Sequence, residues 1–346
     1  MMVALTIGVI LIGAVIGIYL AQSKVYKGAN SQASIQNAEN AIAALLVPTV
    51  RAAGFGGCST LGSAVSNLVA GGPPPLGALA TTPAMVAGYD YVNTAGAGTA
   101  LAITADNPPN DSDPTHWSPT LDSTLGGAVL PGSDVLIVLG AAPGSQPVGV
   151  ATITAGSTSI TVQDASGLAA GQVAAVSDCL KSSIFLVTAV NSNALVHAAG
   201  AGAMTNATAA LSVNYPPGAQ LVPLRQTAFF VGHGLAGQSV LMRATLVGST
   251  WDYEPLVPGI ETMQVLYGVG TAADGVITRY VAAGAVTDWS LVYSVHLAFL
   301  IEGQAGSVQG GGASAPLLLG TTVTPPPDTR LRHVYETAIN LRNAAP

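Results

Sequence analysis

The sequence predicts an α+β protein in which one long N-terminal helix leads into a head built of antiparallel β-structure. Three observations predict it. The first 23 residues contain no Asp, Glu, Lys, Arg or His, and an uncharged run of roughly 20 apolar residues is enough to cross a bilayer core. Beyond Lys24 the apolar residues keep a helical rhythm, recurring at spacings of three and four. From about Gly54 onward, glycine and proline punctuate short runs rich in Val, Ile, Thr and aromatic residues, the pattern of strands joined by turns.

The opening run, "MMVALTIGVILIGAVIGIYL", has no basic stretch before it and no small-residue cleavage site after a short apolar core, so it does not read as a secretory signal peptide. It reads as a membrane-spanning helix over residues 1–23. An amphipathic helix continues over residues 24–54, with Ile35, Ala38, Ile42, Leu45, Leu46 and Thr49 on its apolar face. Pro48 falls inside that stretch, where it is expected to end or kink the helix. Residues 55–346 form the head. After the opening run no second stretch is long enough to cross a membrane.

Only 8% of the residues are charged, against about 25% in an ordinary globular protein. Solubility has to come from Ser, Thr, Asn, Gln and Gly. The net charge is −7 and the basic residues are scattered without a patch, which argues against a nucleic-acid partner. Between Gly71 and Ser133 there is little periodicity, and the segment reads as a long loop region with few regular elements. Beyond it the strand candidates are "DVLIVLG", "GVATITA", "TSITVQD", "AAVSD", "SIFLVTAV", "TAFFVG", "SVLMRATL", "ETMQVLYGV", "VITRYVAA" and "LVYSVHLAFLI". The closing "TRLRHVYETAINLRN" puts Leu331, Tyr335, Ile339 and Leu341 on one alternating face and reads as a strand.

Several stretches imitate catalytic motifs. "GHGLAG", Gly232–Gly237, has the G-x-G-x-x-G spacing of a dinucleotide site, but such a site needs a helix to begin there and an acidic residue about 20 residues on. The residues after it, "QSVLMRATL", are β-like, so the glycines are expected to turn a hairpin. His116, His197, His233, His296 and His333 lie far apart, without the short spacings of zinc sites. No Gly-x-Ser-x-Gly elbow is present. In "GTAADGV" only Asp274 supplies a carboxylate, whereas an EF-hand loop needs several. No catalytic, cofactor-binding or metal-binding residue is therefore assigned, and no enzymatic activity is expected.

The two cysteines, Cys58 and Cys179, carry more information. If the head lies outside the cytoplasm, one bridge between them would tie the end of the helix to the sheet. Closing so long a loop contributes roughly 4 kcal/mol in the chain-entropy model. The alternative is two buried free thiols.

Taken together, "MMVALTIGVILIGAVIGIYL", "RAAGFGGC", "VSDCLKSSIFLVT", "LVPGIETMQVLYGV", "DGVITRYVAAGAVTDWSLVYSVHLAFL" and "DTRLRHVYETAINLRN" resemble type IV pilins, and among them the PilW family of minor pilins. The resemblance covers the N-terminal helix and most of the chain from Ser177 to its end. Residues 71–171 resemble the family little and are expected to be an insertion. The resemblance implies a pilin-like lollipop, a long helix bearing a β-rich head. It implies a non-catalytic subunit that primes pilus assembly and enters the filament near the tip. Its partners would be other minor pilins and the major pilin, met through the N-terminal helix, together with a tip adhesin. Its locations would be the bacterial inner membrane, in a single pass with the head outside the cytoplasm, and then the extracellular pilus. It also implies a short basic leader, a methylated first residue and a glutamate at the fifth mature position, and Met1 falls just past that glutamate. The alternatives are a major or adhesive pilus subunit, or a type II secretion pseudopilin; a membrane-anchored enzyme is a further reading, and it lacks a catalytic constellation.

Such a helix meets two surroundings in turn, lipid before assembly and neighbouring helices after it. Small residues at Gly8, Gly13, Ala14 and Gly17 allow close helix approach. Spacings of five and four place Gly8, Gly13 and Gly17 on roughly one side.

Overall fold

A computed structural model describes residues 2–58, 65–78, 84–92, 100–103, 108–272, 274–308 and 315–344. Helix α1 spans Met2–Arg51 without a break. From Leu5 through Asn30 it stands almost wholly exposed, whereas the part beyond buries one face against the head.

The buried face is Ser31, Ile35, Ala38, Ile42, Leu46 and Val50, a stripe of three- and four-residue steps that a 3.6-residue period requires. It corrects the sequence reading at two positions. Leu45 is 39% exposed and Thr49 only half-buried, because each stands one residue, or about 100° of rotation, away from the stripe. Pro48 does not end or visibly divide the helix. It lies in the final turn, where the missing N–H removes one intrahelical bond and only three residues come after it, and its own carbonyl still accepts from the Ala52 N–H at 3.0 Å.

The head holds two principal sheets. The larger contains β1 (Val86–Tyr91), β2 (Val135–Ala141), β3 (Val173–Ser177), β4 (Ser182–Leu186), β5 (Gln220–His233), β6 (Ser239–Val247) and β7 (Thr250–Pro258). Its axis is the 14-residue β5, which pairs antiparallel with β3 at one end, with β6 at the other, and with β2 along its opposite edge. The smaller sheet is fully antiparallel, in the order β9 (Ile277–Val281), β8 (Ile260–Gly270), β10 (Val292–Glu302), β11 (Arg332–Asn340). Gly259, at φ +78°, makes the corner by which β7 passes into β8 and the chain changes sheet. One hydrophobic core joins the buried stripe of α1 to both sheets, with Leu139, Phe229, Leu241, Met263, Leu297 and Phe299 among its members. A second core, around Ile160, Phe185, Leu195 and Tyr215, lies on the outer side of β3 and β4.

Most of the strands read from alternation are present, and the closing segment is the strand β11. "GVATITA" is strand only at its first residue, Gly149, which ends the short strand Val148–Gly149, and continues as isolated bridges at Val150 and Ile153. "SIFLVTAV" divides into β4 and Ala189–Asn191. The reading of residues 71–133 as loop misses β1, which is buried along most of its length beside β2. A strand covered on both faces shows no alternation to detect. β7 escapes the alternation pattern too: Trp251 and Val257 are its only fully buried residues, and two prolines interrupt it. The G-x-G-x-x-G stretch is the β5–β6 hairpin turn, as its β-like sequel requires.

Candidate functional site

The chain's most unusual surface is the outer part of α1. Leu5, Ile10, Leu11, Val15, Tyr19 and Leu20 are all exposed, and at 100° per residue they cover every side of the helix. A helix apolar all round is suited to a surrounding that is itself apolar on all sides. This part of α1 is long and uncharged enough to cross a membrane by length and composition.

The small residues of this helix do not share one side. On a helix of 100° per residue, Gly13, Gly17 and Ala14 fall within an arc of about 100°, while Gly8 stands about 180° from Gly17. Spacings of five and four bring Gly13 and Gly17 together but carry Gly8 to the opposite face. A Cβ added at Gly8, Gly13 or Gly17 would meet nothing within 4 Å, so none of the three is required by packing inside this chain. Gly13 and Gly17 form a G-x-x-x-G pair, the spacing that lets two helix backbones approach closely in a membrane.

The junction of helix and head is tied at both ends. Where α1 enters the head, Ser31 Oγ accepts the Gln304 N–H at 3.0 Å, and His333 Nδ1 lies 2.8 Å from Glu39 Oε1. Where α1 ends, the Arg51 carbonyl accepts the Arg342 N–H at 3.2 Å. The Asn343 side-chain amide donates to the Ala53 carbonyl at 2.9 Å, and the Gly54 N–H donates to Leu139 in β2 at 2.8 Å. The Arg51–Arg342 bond satisfies a carbonyl that the helix end leaves open. Just beyond, Cys58 is bonded to Cys179, with Cα atoms 4.9 Å apart, at the turn between β3 and β4. Cys179 holds φ +71°.

Two buried charge clusters brace the sheets. Asp134 accepts the Tyr91 N–H at 2.9 Å and the Val265 N–H at 2.8 Å, clipping β1 to β8 across the two sheets. Burial and the nearby Asp90 hold its carboxyl well above the usual range, and burial pushes Asp90 up to about 6. The second cluster sits where α1 enters. Arg332 takes Glu261 at 2.7 and 2.8 Å and Asp328 at 2.7 and 2.8 Å. Arg330 Nε lies 3.5 Å from Glu302 Oε2. Three carboxylates share two guanidiniums, and burial, with the charge of Glu261 second, pushes Glu302 up to about 7.

The five histidines remain dispersed. His116 pairs with Asp111 at 2.6 Å, His296 faces Glu336 at 3.8 Å, and His233 Nδ1 lies 3.0 Å from the Gly237 carbonyl. His197 is fully buried against Phe185, with ring centroids 5.0 Å apart. Asp274 takes the Val276 N–H and the Thr271 hydroxyl, closing its own turn. Among the described residues no group of three or more His, Cys, Asp or Glu is placed to hold a metal ion. The buried acid clusters have no legible signal in the sequence, since Asp90, Asp134, Glu261 and Glu302 stand far apart in the chain and meet only across the sheets.

Residues 228–343 match the family model of the type IV pilus-assembly protein W. That segment runs from the second half of β5 through β11, and so contains the whole smaller sheet and the acid–arginine cluster. Among solved structures the chain is similar to a type IV-like pilin from Thermus thermophilus, at 19% identity, over 36% of this chain and 70% of that one, with a TM-score of 0.24. No curated protein matches the chain.

Proposed function

Starting from a PilW-family segment at residues 228–343 and the apolar helix that leads into the head, we propose that the chain is a non-catalytic minor pilin of a type IV pilus. It waits in the bacterial inner membrane, helps to prime assembly and passes into the filament near its tip. The observation that carries this reading is the outer part of α1, apolar and exposed on all sides while the rest of the same helix is built into the head. Residues 1–23 serve as span and filament core, 24–54 as the amphipathic stalk and 55–346 as the head. In the bilayer the outer helix faces lipid. In the filament it faces the equivalent helices of other minor pilins and of the major pilin, with Gly13, Ala14 and Gly17 as the close-approach face. The Cys58–Cys179 bond fits a head outside the cytoplasm, where disulfides persist.

Replacing Gly17 by leucine tests the helix role. Leucine is at least as compatible with lipid as glycine, so membrane levels are expected to stay normal while co-purification of partner pilins falls. Gly8→Leu, on the opposite face, is expected to be milder. Normal co-purification and normal pilus number with Gly17→Leu would refute an assembly role for this face.

A further inference from the structure

We propose that the β5–β6 turn is a second membrane contact, a hairpin tip that rests in the lipid headgroup layer while α1 spans the bilayer. This rests on the reading of α1 as membrane-spanning.

The turn stands at the end of the head from which the apolar helix emerges. Hydrogen bonds trace that rim from the helix outward. Gln304 N–H reaches Ser31 of α1, Glu302 N–H reaches Gly259 and Gly259 N–H reaches Ser239 at the start of β6. Ser239 pairs with His233, the last residue of β5. From this rim the chain continues into the Gly234 to Gln238 turn, between the last residue of β5 and the first of β6. The opposite end of β5, near Val222, lies beside Gly57, past the other end of α1.

The turn is built to hold its tip outward. Gly234 N–H donates to the Gln238 carbonyl at 2.8 Å and Gly237 N–H to the Gly234 carbonyl at 2.9 Å. The Gln238 side chain accepts the Ala236 N–H at 3.1 Å. Gly237 takes φ +81°, and a Cβ on Gly234 would stand 2.7 Å from both Gln238 and Val240. The glycines therefore serve a tight, braced turn. At its apex Leu235 is 101% exposed, a large apolar side chain held away from the head's own core.

Depth decides the occupant. Ser31 lies seven residues beyond Lys24, about 10 Å along a helix, and the headgroup layer extends about 5–8 Å beyond the hydrocarbon on each side. A turn projecting below the rim reaches that layer, where an apolar tip is favoured. Lys24 and Lys27, both exposed on the intervening helix, suit an anionic lipid surface at the same level. The partner assigned is lipid, because the helix itself brings a bilayer to this end.

The test uses the full chain in vesicles of phosphatidylethanolamine and phosphatidylglycerol. An environment-sensitive nitrobenzoxadiazole label is placed, in separate proteins, on Leu235→Cys, on Thr250→Cys at the far end of the head, and on Val9→Cys. The expected result is a blue shift at position 235 with quenching by headgroup spin-labelled lipid, no such effect at 250, and quenching at 9 by acyl-chain spin label. Quenching at 9 with position 235 behaving like 250 would overturn the proposal and leave the spanning helix standing. Absence of acyl-chain quenching at 9 would remove the spanning reading and the proposal with it. A blue shift at 235 that headgroup label does not quench, and that disappears at single copies per vesicle, would mark a neighbouring chain instead of lipid and would also overturn it.

Discussion

Glu302→Gln is expected to stabilise the protein at alkaline pH and to change little at acid pH. Glu302 lies at the end of β10, where burial and then the Glu261 charge raise it from 4.5 to about 7, while Arg330 and Arg332 oppose the shift only in part. A carboxyl raised on folding holds its proton longer in the folded state than in the unfolded one. Stability is then unaffected below pH 4.5, declines as pH rises toward 7, and levels off above it. The difference of about 2.5 pH units corresponds to about 3 kcal/mol. Glutamine copies the shape of the protonated acid and cannot ionise, so its advantage over the native residue should grow from near zero at pH 4.5 to about 2–3 kcal/mol at pH 8. The assay is urea unfolding of the detergent-solubilised chain at several pH values, monitored by the fluorescence of Trp117, Trp251 and Trp289. Subtracting the two pH profiles cancels the titrating groups that do not interact with Glu302. Asp90 and Asp134 act in the same direction as Glu302. Buried His197, whose ring is held below its usual value, acts in the opposite direction and loses stability as the pH falls. Parallel profiles for the two proteins, or a glutamine variant less stable at pH 8, would refute the reasoning.

The junction of helix and head yields two further expected outcomes. Breaking the Cys58–Cys179 bond, which closes a loop with a sequence separation of 121, should cost up to about 5 kcal/mol in the chain-entropy model; thiol labelling of the unreduced, denatured native protein should find no free cysteine, and two labelled thiols would contradict the bond. Ile42→Ala, at a fully buried position, should lower stability by about 2–5 kcal/mol, whereas Leu45→Ala should cost less than about 1 kcal/mol; equal losses in urea unfolding would contradict the helix face described.

The helix is legible because a missing charge is visible residue by residue, and because the stripe of Ile35, Ala38, Ile42 and Leu46 carries its own period. Choosing between Thr49 and Val50 turns on one residue of rotation, which two adjacent apolar or near-apolar positions do not resolve. Strands with one solvated face, such as β11, announce themselves by alternation. β1 does not, because "VAGYDY" is covered on both sides. β7 does not either, because its burial rests on Trp251 and Val257 alone. The acid–arginine cluster is illegible for a different reason: Asp328 and Arg332 are a local pair, but Glu261 and Glu302 join them only when β8, β10 and β11 align. The small residues of the outer helix are recognisable in the sequence, but their arrangement requires the angles and not merely the spacings, and that calculation moves Gly8 to the far side.

The most direct test of the central claim is whether this chain enters a filament. Pili sheared from intact cells can be probed with antibody to the head and compared with the inner-membrane fraction of the same cells. A pilin subunit should appear in both fractions, with the sheared pool lost in the Gly17→Leu strain while the membrane pool persists. Protein confined to the membrane fraction of a piliated wild-type strain would contradict the claim.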